Sequence, residues 1–323
     1  MKISKKNLLI LALFLLGFLC FELGAAAEKA APSAVAVDNS KTVAPYAFSF
    51  LPKAFQKRPV LAISVITEVT DEGKKLRPPT QEIPYYYIAN SLGFHQEGQG
   101  AYRDTKVSEE NMLKIVQKAL AADHYLPANK EHPVNFVLYL FWGVHCKLWE
   151  ADPNSDEIGM VDINHQNLLS RATLIGGAKF AKELEEALIK QARYGKQSMP
   201  MLDPVYLFSI RDDVTRNLVE QVLDDCYYVV VSAYDAAAMA RGERKLLWRT
   251  KMATPAQGVS LVETAPALGA SGSSFFGKDM NEPAIIGKRI NRGGTVELGE
   301  LKVISMDEKP AETPGKETSS DKK

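Results

Sequence analysis

Histidine and cysteine are scarce in this chain. Five histidines (His95, His124, His132, His145, His165) and three cysteines in 323 residues are scattered, and no histidine pair has the helix-face spacing of a zinc site. Excess charge is also absent: 39 basic and 39 acidic residues cancel. Without clustered Lys and Arg there is no electrostatic footprint for nucleic acid, and no general adhesion to anionic membranes. No apolar run reaches the ~20 residues that cross a bilayer. The longest, residues 8–21, holds 14 and is broken only by Gly17.

That run has the surroundings of a leader. Lys2, Lys5 and Lys6 precede it, and Ala25-Ala26-Ala27 follows, placing small residues where a signal peptidase reads. Residues 1–27 are therefore expected to be a signal peptide cleaved before Glu28, and the mature chain to work outside the cytoplasm with no transmembrane span. Cys20 opens a second reading, a lipid-modified N-terminus. Phe18 and Leu19 before it are bulky, however, where lipid-attachment sites have small residues. Without the leader's three lysines and Glu22 the remainder carries 36 basic and 38 acidic residues, close to neutral.

Cys146 and Cys226 survive processing and would meet an oxidising compartment. Cys146 closes one expected strand and Cys226 opens another, so a bridge forms only if those strands are antiparallel neighbours. It would close a loop of about 80 residues, in a range where the gain is ~2–4 kcal/mol. Two unpaired, half-buried thiols are the alternative.

Residues 28–46, rich in Ala, Val, Ser and Pro, read as a linker. Residues 305–323 lack large apolar side chains after Met306 and cannot offset their ordering entropy, so they read as a disordered tail. Residues 47–304 form one domain. Period-two patterning predicts strands over residues 59–70, 85–88, 134–144, 227–235, 245–252 and 295–304. Residues 93–104, rich in Gly and polar side chains, read as a loop. Ser108 is the expected cap of a helix carrying Met112, Ile115, Val116, Ala119 and Leu120 on one face. Residues 166–192 and 212–223 are also amphipathic, the former with a break expected at Gly176-Gly177. Strands and helices mix without strict alternation, which predicts an α+β fold: a mixed, largely antiparallel sheet with helices packed on it.

A helix followed by Pro133-Val134-Asn135-Phe136-Val137-Leu138-Tyr139, and later Tyr228-Val229-Val230-Val231-Ser232-Ala233-Tyr234-Asp235 turning into Lys245-Leu246-Leu247-Trp248-Arg249, resembles a family of uncharacterised bacterial envelope proteins. Many of these are small lipoproteins with a similar Val-rich strand, Asp and Leu-Trp hairpin. The resemblance covers residues 107–252, with insertions. It implies an α+β envelope protein and brings no functional residues with it.

Four local patterns approach known chemistry. Asp152, Asn154 and Asp156 occupy positions 1, 3 and 5 of a calcium loop. Glu157 stands where the turn needs Gly, Ile163 where a carboxylate clamps the ion, and Asp162 comes one residue early. Gly272 to Lys278 has P-loop spacing, but Asp279 replaces the Ser or Thr that ligates magnesium and would repel phosphate, so no nucleotide is expected. Gly269-Ala270-Ser271-Gly272-Ser273 lacks the last Gly of a nucleophile elbow. His145 and Cys146 are adjacent on a strand and point to opposite faces, so they cannot exchange a proton. The aromatics Tyr85, Tyr86, Tyr87, Trp142, Trp149, Tyr227, Tyr228 and Trp248 read as core rather than a ligand groove. The leading expectation is a non-catalytic envelope protein, free of cofactors, that binds an unknown protein or envelope component. A secreted hydrolase built from distant residues, with Asp235 and the histidines as raw material, is the first alternative. A weak calcium module at Asp152, Asn154, Asp156 and Asp162 is the second.

Overall fold

The computed structural model describes residues 50–100, 107–148, 158–194 and 212–292, without the side chains of 158–163 and 191–194. Seven strands, β1 (Val60–Val69), β2 (Tyr85–Glu97), β3 (Tyr125–Pro127), β4 (Phe136–His145), β5 (Cys226–Asp235), β6 (Leu246–Pro255) and β7 (Ala284–Arg289), form one sheet in the order β3-β2-β4-β5-β6-β1-β7. The helices are α1 (Glu109–Ala121), α2 (Ile158–Tyr194), α3 (Asp213–Val222), α4 (Ala236–Ala240) and α5 (Leu261–Gly272).

The fold is α+β, but the sheet is mixed rather than largely antiparallel. From β4 to β7 every pairing is antiparallel, whereas β2 runs parallel to both β3 and β4. The cause is α1, which lies between β2 and the next two strands. A helical crossover returns the chain in its original direction, where a hairpin would reverse it. β2 also extends past the expected tetrapeptide to Glu97. Its bulge at Leu92, followed by Gly93 at φ 83°, absorbs one extra residue and leaves the polar second half of the strand hydrogen-bonded to β4. The expected strand over residues 295–304 lies outside the described residues. Here β7 flanks β1 instead.

Helices cover both faces. On one, α1 and α5 pack Met112, Val116, Leu120 and Leu268 against Ile63, Leu140, Trp142 and Met252. On the other, α2 and α3 bring Ile175, Leu184, Leu218 and Val222 onto Tyr228, Val230 and Ala253. The expected caps form: Ser108 Oγ accepts from Asn111 N at 3.3 Å, and Asp212 Oδ2 from Thr215 N at 2.7 Å.

The break in α2 falls at Gly177, whose backbone (φ 83°, ψ 179°) suits only glycine. The freed amide of Ala178 donates to Glu68 Oε1 on β1 at 2.7 Å, so a sheet carboxylate caps the second half of the helix. Glu68 Oε2 also accepts from the buried Lys251 Nζ at 2.8 Å. Burial works to raise the pKa of Glu68, but the bonds from Ala178 and Lys251 outweigh it and hold the carboxyl below its ordinary value. A Cβ at position 177 would come 3.0 Å from Glu68 Oε1 and 3.1 Å from Ile66 Cγ1. Gly177→Ala is expected to lower unfolding free energy in urea by about 2–3 kcal/mol, through the strained backbone alone.

Candidate functional site

The register of β4 on β5 settles the fate of the cysteines. The strands are antiparallel neighbours, as a bridge requires, but His145, not Cys146, pairs with Cys226. Paired residues share a face, so Cys146 enters the core under α1 and α5 while Cys226 enters that under α2 and α3. Both thiols are free and buried; the bridge that the sequence permits is absent.

The same register creates a pair the sequence did not suggest, His145 beside Cys226. Neither is tuned for catalysis. Desolvation pushes the Cys226 thiol up to about 12, where a nucleophile needs it lowered. Burial, then the Arg171 guanidinium, bring His145 down to about 4. Glu97 Oε2 lies 3.2 Å from His145 Nε2 but is half in solvent. A bond to the Cys146 backbone and the Asp225 carboxylate pull the other way and are outweighed. Arg171 is itself held by the carbonyls of Val222 at 2.7 Å and Cys146 at 3.2 Å, so it ties the end of α3 to the end of β4.

The other local patterns have structural roles. Asp235 caps α4, accepting from Ala238 N at 2.8 Å. Ser271 is buried inside α5. In the P-loop look-alike, Asp279 accepts from Val69 N at 3.3 Å and pairs with Lys74 Nζ at 3.0 Å, and Phe276 is core. Asp152, Asn154, Asp156 and Trp149, and the side chain of Asp162, lie outside the described residues. Among the described residues no three His, Cys, Asp or Glu side chains are placed to hold a metal ion. No helix there is long and apolar enough to cross a membrane.

What the topology does assemble is a cavity. β2, β3 and β4 are parallel and start at one end of the sheet, where β6 also starts. Their first residues bring rings together: Tyr85 lies 6.2 Å from Tyr125 and 4.8 Å from Phe136, centroid to centroid. Trp248 extends the group, 5.6 Å from Tyr125 and 5.8 Å from Phe276. The connection between β1 and β2 closes one side with Lys74, Leu76, Arg77, Pro78 and Pro79; Gly277, Lys278 and Asp279 close another. The space enclosed is about 260 Å³. Lys278 Nζ reaches Asp123 Oδ1 at 3.1 Å and the Ser274 carbonyl at 2.9 Å. Thr67 Oγ1 donates to the Phe275 carbonyl at 2.8 Å, which fixes the wall to β1.

Trp248 is 2% exposed and its indole N–H has no hydrogen-bond partner. A Cβ at position 277 would lie 3.3 Å from that nitrogen and collide with the Tyr125 hydroxyl, so only glycine packs against this corner. A second cavity of about 320 Å³, under α1, is lined by Tyr87, Leu113, Val116, Leu138 and Val231. Its one buried unpartnered group is the Tyr87 hydroxyl, which desolvation raises to about 12. The first cavity joins aromatic walls and a charged rim, a combination that can orient a ligand. Sequence reading assigned Tyr85 and Trp248 to core packing. Trp248 is core, yet it also walls the cavity. Only the shared start of the parallel strands could have revealed this.

Fold and site together define an α+β protein with a mixed seven-stranded sheet and an aromatic cavity at its end. No protein-family model and no curated protein matches the chain. Among solved structures, a PDZ domain protein from Parabacteroides distasonis ATCC 8503 is similar to it at 8% identity and a TM-score of 0.31. That match covers 70% of this chain and 38% of the other.

Two outcomes are expected. In denaturant without reductant, intact-mass analysis will find one alkyl group on each of Cys146 and Cys226. Because the folded pKa of His145 lies below its ordinary 6.5, the unfolded chain takes up the proton first, and stability falls as pH drops from about 6.5 to about 4. Between pH 7 and 4.5 this histidine accounts for a loss of about 2–3 kcal/mol in urea unfolding. In His145→Gln the pH dependence is expected to shrink by that amount.

Proposed function

We propose that this chain is an exported envelope protein that acts by binding, and that the aromatic cavity bounded by Tyr85, Tyr125, Phe136 and Trp248 is its binding site. The observation that carries this reading is the set of rings from Tyr85, Tyr125, Phe136 and Trp248 around a space of about 260 Å³ with a charged rim. The leader at residues 1–27 and the similarity to envelope proteins over residues 107–252 support export. The charge balance supports a partner other than nucleic acid.

The test has two arms. Expressed from its full gene in a bacterium, the protein is expected in the envelope fraction with Glu28 as its first residue; a cytosolic chain retaining Met1 overturns export. In a ¹H–¹⁵N spectrum of the mature protein, small aromatic molecules of differing charge are titrated while the Trp248 indole signal, assigned with Trp248→Phe, is followed. At least one is expected to shift it saturably. If none does, the cavity is not the binding site.

A further inference from the structure

The rim of the aromatic cavity carries more positive than negative charge, and this limits what can enter. Resting on the binding role proposed above, we propose that the ligand is a one- or two-ring aromatic carboxylate, its ring between Tyr85, Phe136 and Trp248 and its carboxylate at Arg77. Four charged side chains line the space: Lys74, Arg77, Lys278 and Asp279. Lys74 is occupied by Asp279, and Lys278 by Asp123. Arg77 is exposed and has no hydrogen bond or ion pair among the described residues. It is thus the uncompensated charge at the mouth. A guanidinium presents the two parallel donors that a carboxylate accepts.

Aromatic cages also bind cations over their ring faces. Here the uncompensated Arg77 opposes that, and the one lining carboxylate, Asp279, already holds Lys74 and the Val69 amide. The walls select for shape. Tyr85, Tyr125, Phe136, Trp248 and Phe276 meet at tilts of 28° to 63°. A flat ring can join them edge-on or offset. At about 260 Å³ the space falls just under the roughly 300–1,000 Å³ of drug-sized sites, which suits one or two rings.

Indole-3-acetate and benzoate are the probes, set against neutral indole-3-acetamide, choline and octanoate, with affinity by calorimetry and location by the Trp248 indole signal. Indole-3-acetate is expected to bind about tenfold tighter than its amide, a gap that narrows with added salt. Arg77→Ala is expected to remove most of that gap, leaving the amide unchanged, and Arg77→Lys to restore part of it. Because Arg77 is exposed and unpaired, its replacement leaves folding intact, which thermal unfolding checks. Equal binding of acid and amide, tighter binding of choline, or octanoate matching indole-3-acetate would overturn the aromatic-carboxylate assignment while leaving the cavity a binding site. If no probe moves the Trp248 signal, this inference falls together with the binding role.

Discussion

The ladder between β4 and β5, from Phe136 opposite Asp235 to His145 opposite Cys226, sets nearly everything else in this molecule. Both strands are apolar on both faces, so the sheet must be covered on both sides, and helices supply the covers. A slip of one residue would invert every side chain on one strand. The actual register sends Cys146 and Cys226 into different cores and sets His145 beside Cys226. It also brings Phe136 and, through β6, Trp248 to the same end of the sheet.

Around this ladder two charged groups that enter the interior, Lys251 and Arg171, are matched by protein partners. Lys251 and Glu68 neutralise each other under α2, and the spare oxygen of Glu68 serves the helix amide freed by the break at Gly177. Arg171 spends its donors on carbonyl ends of a helix and a strand. Such ion-pair and capping networks shift pKa values through structure. Lys251 and Arg171 are satisfied by protein. The Trp248 N–H in the cavity wall is not.

The cavity combines two features with different origins. Its rings come from strand starts, where the pleat and the parallel crossover through α1 place Tyr85, Tyr125 and Phe136 side by side. Its charges come from the loops after β1 and after α5, joined by Lys74 and Asp279. Strand residues fix the walls with the rigidity of the sheet. Loop residues set the sign of the rim, and there substitution changes affinity with little cost to the fold.

Local sequence by itself was enough for the elements whose physics is local. Ser108 and Asp212 cap their helices because a short oxygen side chain reaches an amide three residues on. Gly176-Gly177 breaks a helix because one of them adopts a backbone that a Cβ forbids. The runs at 134–144 and 227–235 are interior strands because both faces are apolar. What only the tertiary structure decided depends on pairing between distant segments: the parallel placement of β2, the continuation of β2 through Gly93, the register that leaves two cysteines unjoined, and the meeting of Tyr85, Tyr125, Phe136, Trp248 and Phe276 around one space. No periodicity records which strand lies beside which, since that choice is made by the total area buried when the helices close over the sheet.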